Sequence, residues 1–204
     1  MKINKKKFIY LISPNKISYS FYNNLKLVLK TGKVSFFQLR LKSYSQNKKM
    51  TIGKKIKNIC KKNKVKFIIN DDPLLTLKLD ADGCHLGQKD MNIKIAREIL
   101  GKKIIGITCH NSINLAKKAI KSKADYIAFG AVNQSKTKKT KYVASVKILN
   151  KVKKFTKTLI VAIGGINDAN YKNLLLNNAN FLAISGYIWK NKKYKPLEAI
   201  EKLK

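Results

Sequence analysis

Apolar residues along this chain gather in short, β-branched-rich runs separated by longer stretches of mixed polarity. The runs are Phe8–Ile12, Val34–Leu39, Lys66–Ile69, Gly83–Leu86, Ile104–Ile107, Tyr126–Phe129, Leu159–Ile163 and Phe181–Ile184. Nearly continuous hydrophobicity over so few residues suits strands of a parallel sheet covered on both faces. The stretches between them carry helical spacing. In Ser43–Lys64 the positions Met50, Ile52, Ile56, Ile59 and Cys60 trace one face, and in Asn111–Lys123 so do Ile113, Leu115, Ala116, Ala119 and Ile120. Asn167–Asn177 and Pro196–Lys204 also predict helices, the latter with proline in its first turn. Strand–helix alternation implies right-handed βαβ units. Eight of them predict an α/β fold, a compact (β/α)₈ TIM barrel, with residues 1–204 as a single domain. A doubly wound open sheet is the alternative. It lacks the Gly-x-Gly-x-x-Gly turn after its first strand, since Ile12 is followed by Ser13-Pro14-Asn15.

Length and composition agree with one well-cored domain: 204 residues, 45% hydrophobic. The formal net charge is +35, and Arg40 and Arg97 are the only arginines among 45 basic residues. The lysines are spread along the whole chain and no DNA- or RNA-binding signature interrupts them, which argues against nucleic acid as the main partner. The charge instead favours capture of small anionic substrates. Cys60, Cys84 and Cys109 are odd in number and lack C-x-x-C spacing, so neither a disulfide framework nor a zinc site is indicated. The Phe8–Ile12 run is too short for a secretory segment and nothing approaches membrane-spanning length. The expectation is a cytoplasmic protein with reduced thiols and no membrane partner. The sequence is compatible with a homo-oligomer.

Acidic residues change the picture. There are ten, and Asp71, Asp72, Asp80, Asp82 and Asp90 fall within one stretch of twenty positions. Carboxylates gathered in so cationic a chain point to a hard divalent cation such as Mg²⁺, held by one or two carboxylates plus substrate phosphates. For Asp72, Asp80 and Asp82 the competing roles are helix caps or partners of lysines. Asp71 and Asp90 lie at loop tips after adjacent strands and are the expected metal pair.

Barrel active sites lie at the carboxyl ends of the strands, and the unusual residues of this chain sit there. After the second run comes Gln38-Leu39-Arg40-Leu41-Lys42. Alternation sends Gln38, Arg40 and Lys42 toward the mouth and both leucines toward the helices. Strand three ends in Asn70-Asp71. His85, flanked by apolar residues, reads as a satisfied core histidine ahead of a catalytic base. Strand five leads to Thr108-Cys109-His110, where His110 is either a supporting donor or a helix-start residue. Strand six runs into Ser135-Lys136-Thr137-Lys138, hydroxyls interleaved with lysines, a plausible anion cradle. Gly164-Gly165 and Ser185-Gly186, after strands seven and eight, permit close backbone approach to a phosphate. Two anion sites, one with metal and one without, imply two phosphorylated substrates.

Six segments in order carry a resemblance: QLRLK at 38–42, IIND at 68–71, ADGCHLGQKD at 81–90, GITCH at 106–110, SKTK at 135–138 and AIGGI at 162–166. Together they resemble the thiamine phosphate synthase and thiazole tautomerase family over nearly the whole chain. The resemblance implies condensation of a hydroxymethylpyrimidine diphosphate with a thiazole phosphate, releasing diphosphate through a pyrimidinylmethyl cation. By the same resemblance Asp71 and Asp90 hold Mg²⁺, and Gln38, Arg40, Lys42, Asn70, Thr108 and Lys138 contact the pyrimidine diphosphate. Arg40, Lys42, Thr108 and Lys138 are the expected catalytic set. Ser135, Lys136 and Thr137, with Gly165, Ile184 and Ser185, would bind the thiazole phosphate. The chain departs from the family pattern at Thr108 and Ser135, which keep a hydroxyl, and at Asn133-Gln134 and Asn180-Phe181, which bear on the thiazole pocket. A tautomerase and a non-catalytic binding relative are the alternatives. The complete Gln-x-Arg-x-Lys run, the second aspartate and the Thr-Lys ending of the hydroxyl loop favour the synthase.

Overall fold

A computed structural model describes residues 7–133 and 143–204. Eight parallel strands close in sequential order into a barrel: β1 (Ile9–Ile12), β2 (Val34–Leu39), β3 (Lys66–Asn70), β4 (Gly83–Leu86), β5 (Ile104–His110), β6 (Tyr126–Gly130), β7 (Leu159–Ile163) and β8 (Phe181–Ile184), with β8 pairing back onto β1. Each apolar run of the sequence is one of these strands. The largest difference is at β5, which continues through Thr108 and Cys109 to His110 and shifts register against β6 between Thr108 and His110. Such an irregularity re-aims side chains at a barrel rim.

Helices α1 (Phe21–Lys30), α2 (Gln46–Lys62), α3 (Pro73–Lys78), α4 (Ile93–Leu100), α5 (Ile113–Lys121), α6 (Lys147–Lys153), α7 (Tyr171–Leu176), α8 (Gly186–Trp189) and α9 (Pro196–Glu201) surround the strands. Ser45 caps α2 by accepting from the Lys48 N–H, and Ser112 caps α5 by accepting from Leu115. On α2, Ile52, Ile56, Ile59 and Cys60 are buried, the face that the periodicity predicts. The helix expected over 167–177 occupies only Tyr171–Leu176, because Asn167 and Asn170 form side-chain-to-backbone turns ahead of it.

Two cores result. One lies between strands and helices and contains Leu39 and Leu41. The other fills the barrel interior with Tyr10, Ile12, Phe36, Ile68, Tyr126, Ala128, Val161, Phe181 and Ala183. Phe36 meets Phe181 edge-on at 5.0 Å between ring centroids and stacks on Tyr10 at 5.2 Å. This aromatic floor fills the barrel interior beneath the rim formed by the carboxyl ends of the strands, where barrel active sites lie. Among the described residues no helix is long and apolar enough to cross a membrane.

Candidate active site

Closure of the barrel brings the polar strand ends to one rim. A cavity of about 280 Å³ is lined by Gln38, Arg40, Lys42, Asn70, Asp71, His85, Asp90, Thr108 and His110, above Tyr10 and Tyr126. A second, of about 460 Å³, is lined by Ser13, Arg40, Thr108, Gly164, Gly165, Ile184, Ser185 and Lys190. Arg40 and Thr108 belong to both. One arginine therefore stands where two bound anions would adjoin.

Asp71 and Asp90 meet in this cavity, side chain to side chain within hydrogen-bond reach. Asp71 follows β3 with φ 66°, a left-handed conformation uncommon outside glycine, and its N–H donates to the His85 carbonyl at 2.8 Å. Asp90 folds back so that its Oδ2 accepts from the Gly87 N–H at 2.6 Å. Burial raises the Asp71 carboxyl pKa, but Asp90 and the Lys42 ammonium, 3.0 Å away, outweigh it and the pKa falls. For Asp90, burial and the neighbouring Asp71 push the pKa above the ordinary carboxylate value. Each carboxylate opposes ionisation of the other, so the two shifts run in opposite directions.

The remaining acids are structural. Asp72 caps α3 by accepting from Leu75 at 2.8 Å. Asp80 pairs with Lys57 and Lys103, and Asp82 pairs with Lys66 while accepting from the Phe67 N–H. Among the described residues no three His, Cys, Asp or Glu side chains gather as a metal cage. The Asp71–Asp90 pair, oxygen-only and negatively charged, fits a cation that completes its shell with substrate oxygens and water, as Mg²⁺ does.

Gln38 is buried and its Nε2 donates to the Tyr10 hydroxyl at 3.0 Å, so alternation along 38–42 holds. His85 is buried with both ring nitrogens paired: Nδ1 with the Tyr126 hydroxyl at 2.9 Å, Nε2 with Thr108 Oγ1 at 2.8 Å. Burial pushes its pKa down to about 4, a satisfied core histidine. His110 has φ 52° and burial lowers its pKa too. At the second cavity Gly165 has φ 60°, and a Cβ there would lie 2.7 Å from that of Asn133. Only glycine fits this turn. Ser135, Lys136, Thr137 and Lys138 lie outside the described residues, as does Gln134.

Sequence reasoning missed Ser13. It is buried, accepts from the Arg40 N–H at 2.9 Å, and its carbonyl accepts from Ser185 Oγ at 3.2 Å, tying β1, β2 and β8 ends together. It also passed over Tyr10 and Tyr126 as ordinary strand aromatics. Their hydroxyls, 2.7 Å apart, come from positions 116 residues distant, and no local pattern signals such a pair.

A glycine-lined cavity, an arginine shared with the cavity beside it and a carboxylate pair, all on the rim of a closed parallel barrel, define a (β/α)₈-barrel protein with the features of an enzyme for small molecules. Comparison with known proteins narrows the class. Residues 9–188 match the family model for thiamine monophosphate synthase. The thiamine-phosphate synthase of Pelagibacter ubique is 68% identical over the full length of both chains. That of Erythrobacter litoralis is 40% identical over 89% of this chain and 87% of its own. The structure of a thiamine phosphate pyrophosphorylase from Pyrococcus furiosus superposes with a TM-score of 0.86 at 28% identity, covering 97% of this chain and 94% of that one. The chain belongs to the thiamine monophosphate synthase family and is a transferase of thiamine biosynthesis.

Proposed function

We propose that this chain condenses 4-amino-5-hydroxymethyl-2-methylpyrimidine diphosphate with thiazole phosphate, forming thiamine phosphate and releasing diphosphate. The observation that carries this reading is the pair of adjoining cavities with Arg40 in both, one holding Asp71 and Asp90 and the other the glycine turn. Asp71 and Asp90 would hold Mg²⁺, which when bound supplies positive charge to the departing diphosphate. Arg40 offers a planar fork of donors for phosphate oxygens, and Lys42, now paired with Asp71, can turn to the diphosphate. Asn70 and Thr108 add neutral donors on the same wall. The Gln38 amide faces the heterocycle above the aromatic floor.

Ionisation leaves a ring-stabilised methyl cation and a highly charged leaving group, so donors fixed before reaction matter most. Lys138 would contact the pyrimidine diphosphate, and Gly165, Ile184 and Ser185, with Ser135, Lys136 and Thr137, would bind the thiazole phosphate, the glycine allowing close backbone approach. That grip orients the thiazole nitrogen for attack, and orientation supplies much of the remaining acceleration. The attacking nitrogen carries no proton, so no base is required, in keeping with a His85 held neutral.

The test is a two-substrate assay with and without magnesium. Thiamine phosphate should form only when both substrates and the metal are present. A blank result accompanied by isomerisation of a thiazole carboxylate would transfer the reading to a tautomerase. A blank in both would leave a binding relative.

A further inference from the structure

A hydrogen-bond chain crosses the barrel beneath its mouth. Gln38 Nε2 donates to the Tyr10 hydroxyl at 3.0 Å, and the Tyr10 and Tyr126 hydroxyls bond at 2.7 Å. The Tyr126 hydroxyl lies 2.9 Å from His85 Nδ1, and His85 Nε2 lies 2.8 Å from Thr108 Oγ1. Five strands contribute one residue each, and all five side chains line the Asp71–Asp90 cavity. The Tyr126 ring also stacks on the His85 ring, 5.6 Å between centroids and 12° between planes, so this link is held from two directions.

The proton count along the chain is fixed. Each hydroxyl has one hydrogen, and a neutral imidazole has one N–H. With the Gln38 amide donating at one end, the arrangement that leaves no buried hydroxyl hydrogen unpaired sends the Tyr10 hydrogen to Tyr126 and the Tyr126 hydrogen to His85 Nδ1. His85 must then carry its hydrogen on Nε2, pointing at Thr108 Oγ1. That leaves the Thr108 hydroxyl hydrogen free for a partner in the cavity. We infer that this chain sets Thr108 as a hydrogen-bond donor toward an anionic oxygen of the bound substrate, with Tyr10, Tyr126 and His85 as positioning residues. The inference rests on the synthase reading, in which that oxygen belongs to the diphosphate. Were the chain reversed, Thr108 would offer a lone pair to an oxyanion and repel it. No proton moves; the chain fixes polarity before reaction, the arrangement that stabilises developing negative charge at least reorganisation.

The tautomer can be read directly. The chain has two histidines, so ¹⁵N-labelled His110→Gln protein leaves His85 alone in a long-range ¹H–¹⁵N correlation spectrum at neutral pH. The expected result is a protonated Nε2 and an acceptor-type Nδ1. A protonated Nδ1 would overturn the inference. Tyr126→Phe should mix the tautomers and lower kcat about tenfold, leaving KM for thiazole phosphate unchanged. If that variant does not fold, Tyr10→Phe tests the same link. Pyrophosphate affinity with Mg²⁺, measured by calorimetry, should fall about tenfold in Thr108→Val and survive in Thr108→Ser. Equal affinity in Thr108→Val and the native protein would sink the donor assignment. Because neither the spectrum nor the calorimetry needs turnover, a failure of the synthase reading shows separately, in the two-substrate assay.

Discussion

The ring of Tyr126 occupies the space that any side chain on Gly106 would need. A Cβ at Gly106 would lie 1.8 Å from Tyr126 Cζ. The glycine on β5 thus receives the ring from β6, which places the Tyr126 hydroxyl between those of Tyr10 and the His85 ring. In Gly106→Ala the ring must move, and with it both hydrogen bonds. Overpacking of this kind costs about 1–3 kcal/mol. Urea denaturation should show that loss, and turnover should fall even at temperatures where the variant is fully folded.

The carboxylate pair predicts a separation of stability from activity. Asp90→Asn removes a like charge beside Asp71 while keeping a side chain able to hydrogen-bond. Thermal melts should therefore show no loss of stability, and magnesium should raise the melting temperature of the native protein but not of the variant. Turnover should drop by about two orders of magnitude, since fixed charge at the leaving group is removed. Retained magnesium-dependent turnover would remove Asp90 from the metal site.

The same pair predicts a proton–metal competition. A bound cation needs both carboxyls ionised, and the Asp90 pKa lies above the ordinary value. Magnesium affinity, measured by calorimetry, should rise with pH through that raised pKa and then level off.

His85 predicts how stability responds to acid. Its folded-state pKa of about 4 lies below the unfolded value near 6.5, mainly through burial, with Asp71 opposing and Arg40 assisting. The unfolded chain therefore binds the proton first. This contribution is complete above pH ~6.5 and is lost as pH falls toward 4, amounting to about 3 kcal/mol. Urea midpoints measured across this range should fall, and the fall should be shallower in His85→Gln.

Arg40 predicts that charge alone is insufficient. It lines both cavities and is one of two arginines in the chain. Arg40→Lys keeps the charge but loses the planar fork. Steady-state kinetics should show kcat/KM reduced about tenfold or more for both substrates, with little change in melting temperature. An unaffected Arg40→Lys variant would reduce Arg40 to a simple cation.

Much of the barrel is written in the chain itself, because a parallel strand covered on both faces must be apolar at nearly every position. Val34–Leu39 and Leu159–Ile163 show this without any neighbour. The ends of β5 and α7 are not legible in that way. Thr108 to His110 extend a strand through a register shift dictated by β6, and Tyr171–Leu176 is a six-residue helix that packing, more than periodicity, holds in place. The alternation of Gln38, Arg40 and Lys42 against Leu39 and Leu41 follows from the period of a strand and needs no partner. The sorting of the acids does need one. Sequence shows five aspartates close together, and only closure of β3 against β4 brings Asp71 to Asp90 while sending Asp80 and Asp82 to lysines. The Gln38-to-Thr108 chain was invisible for the same reason: hydrogen bonds between side chains from five strands depend on distances that exist only once the barrel has closed.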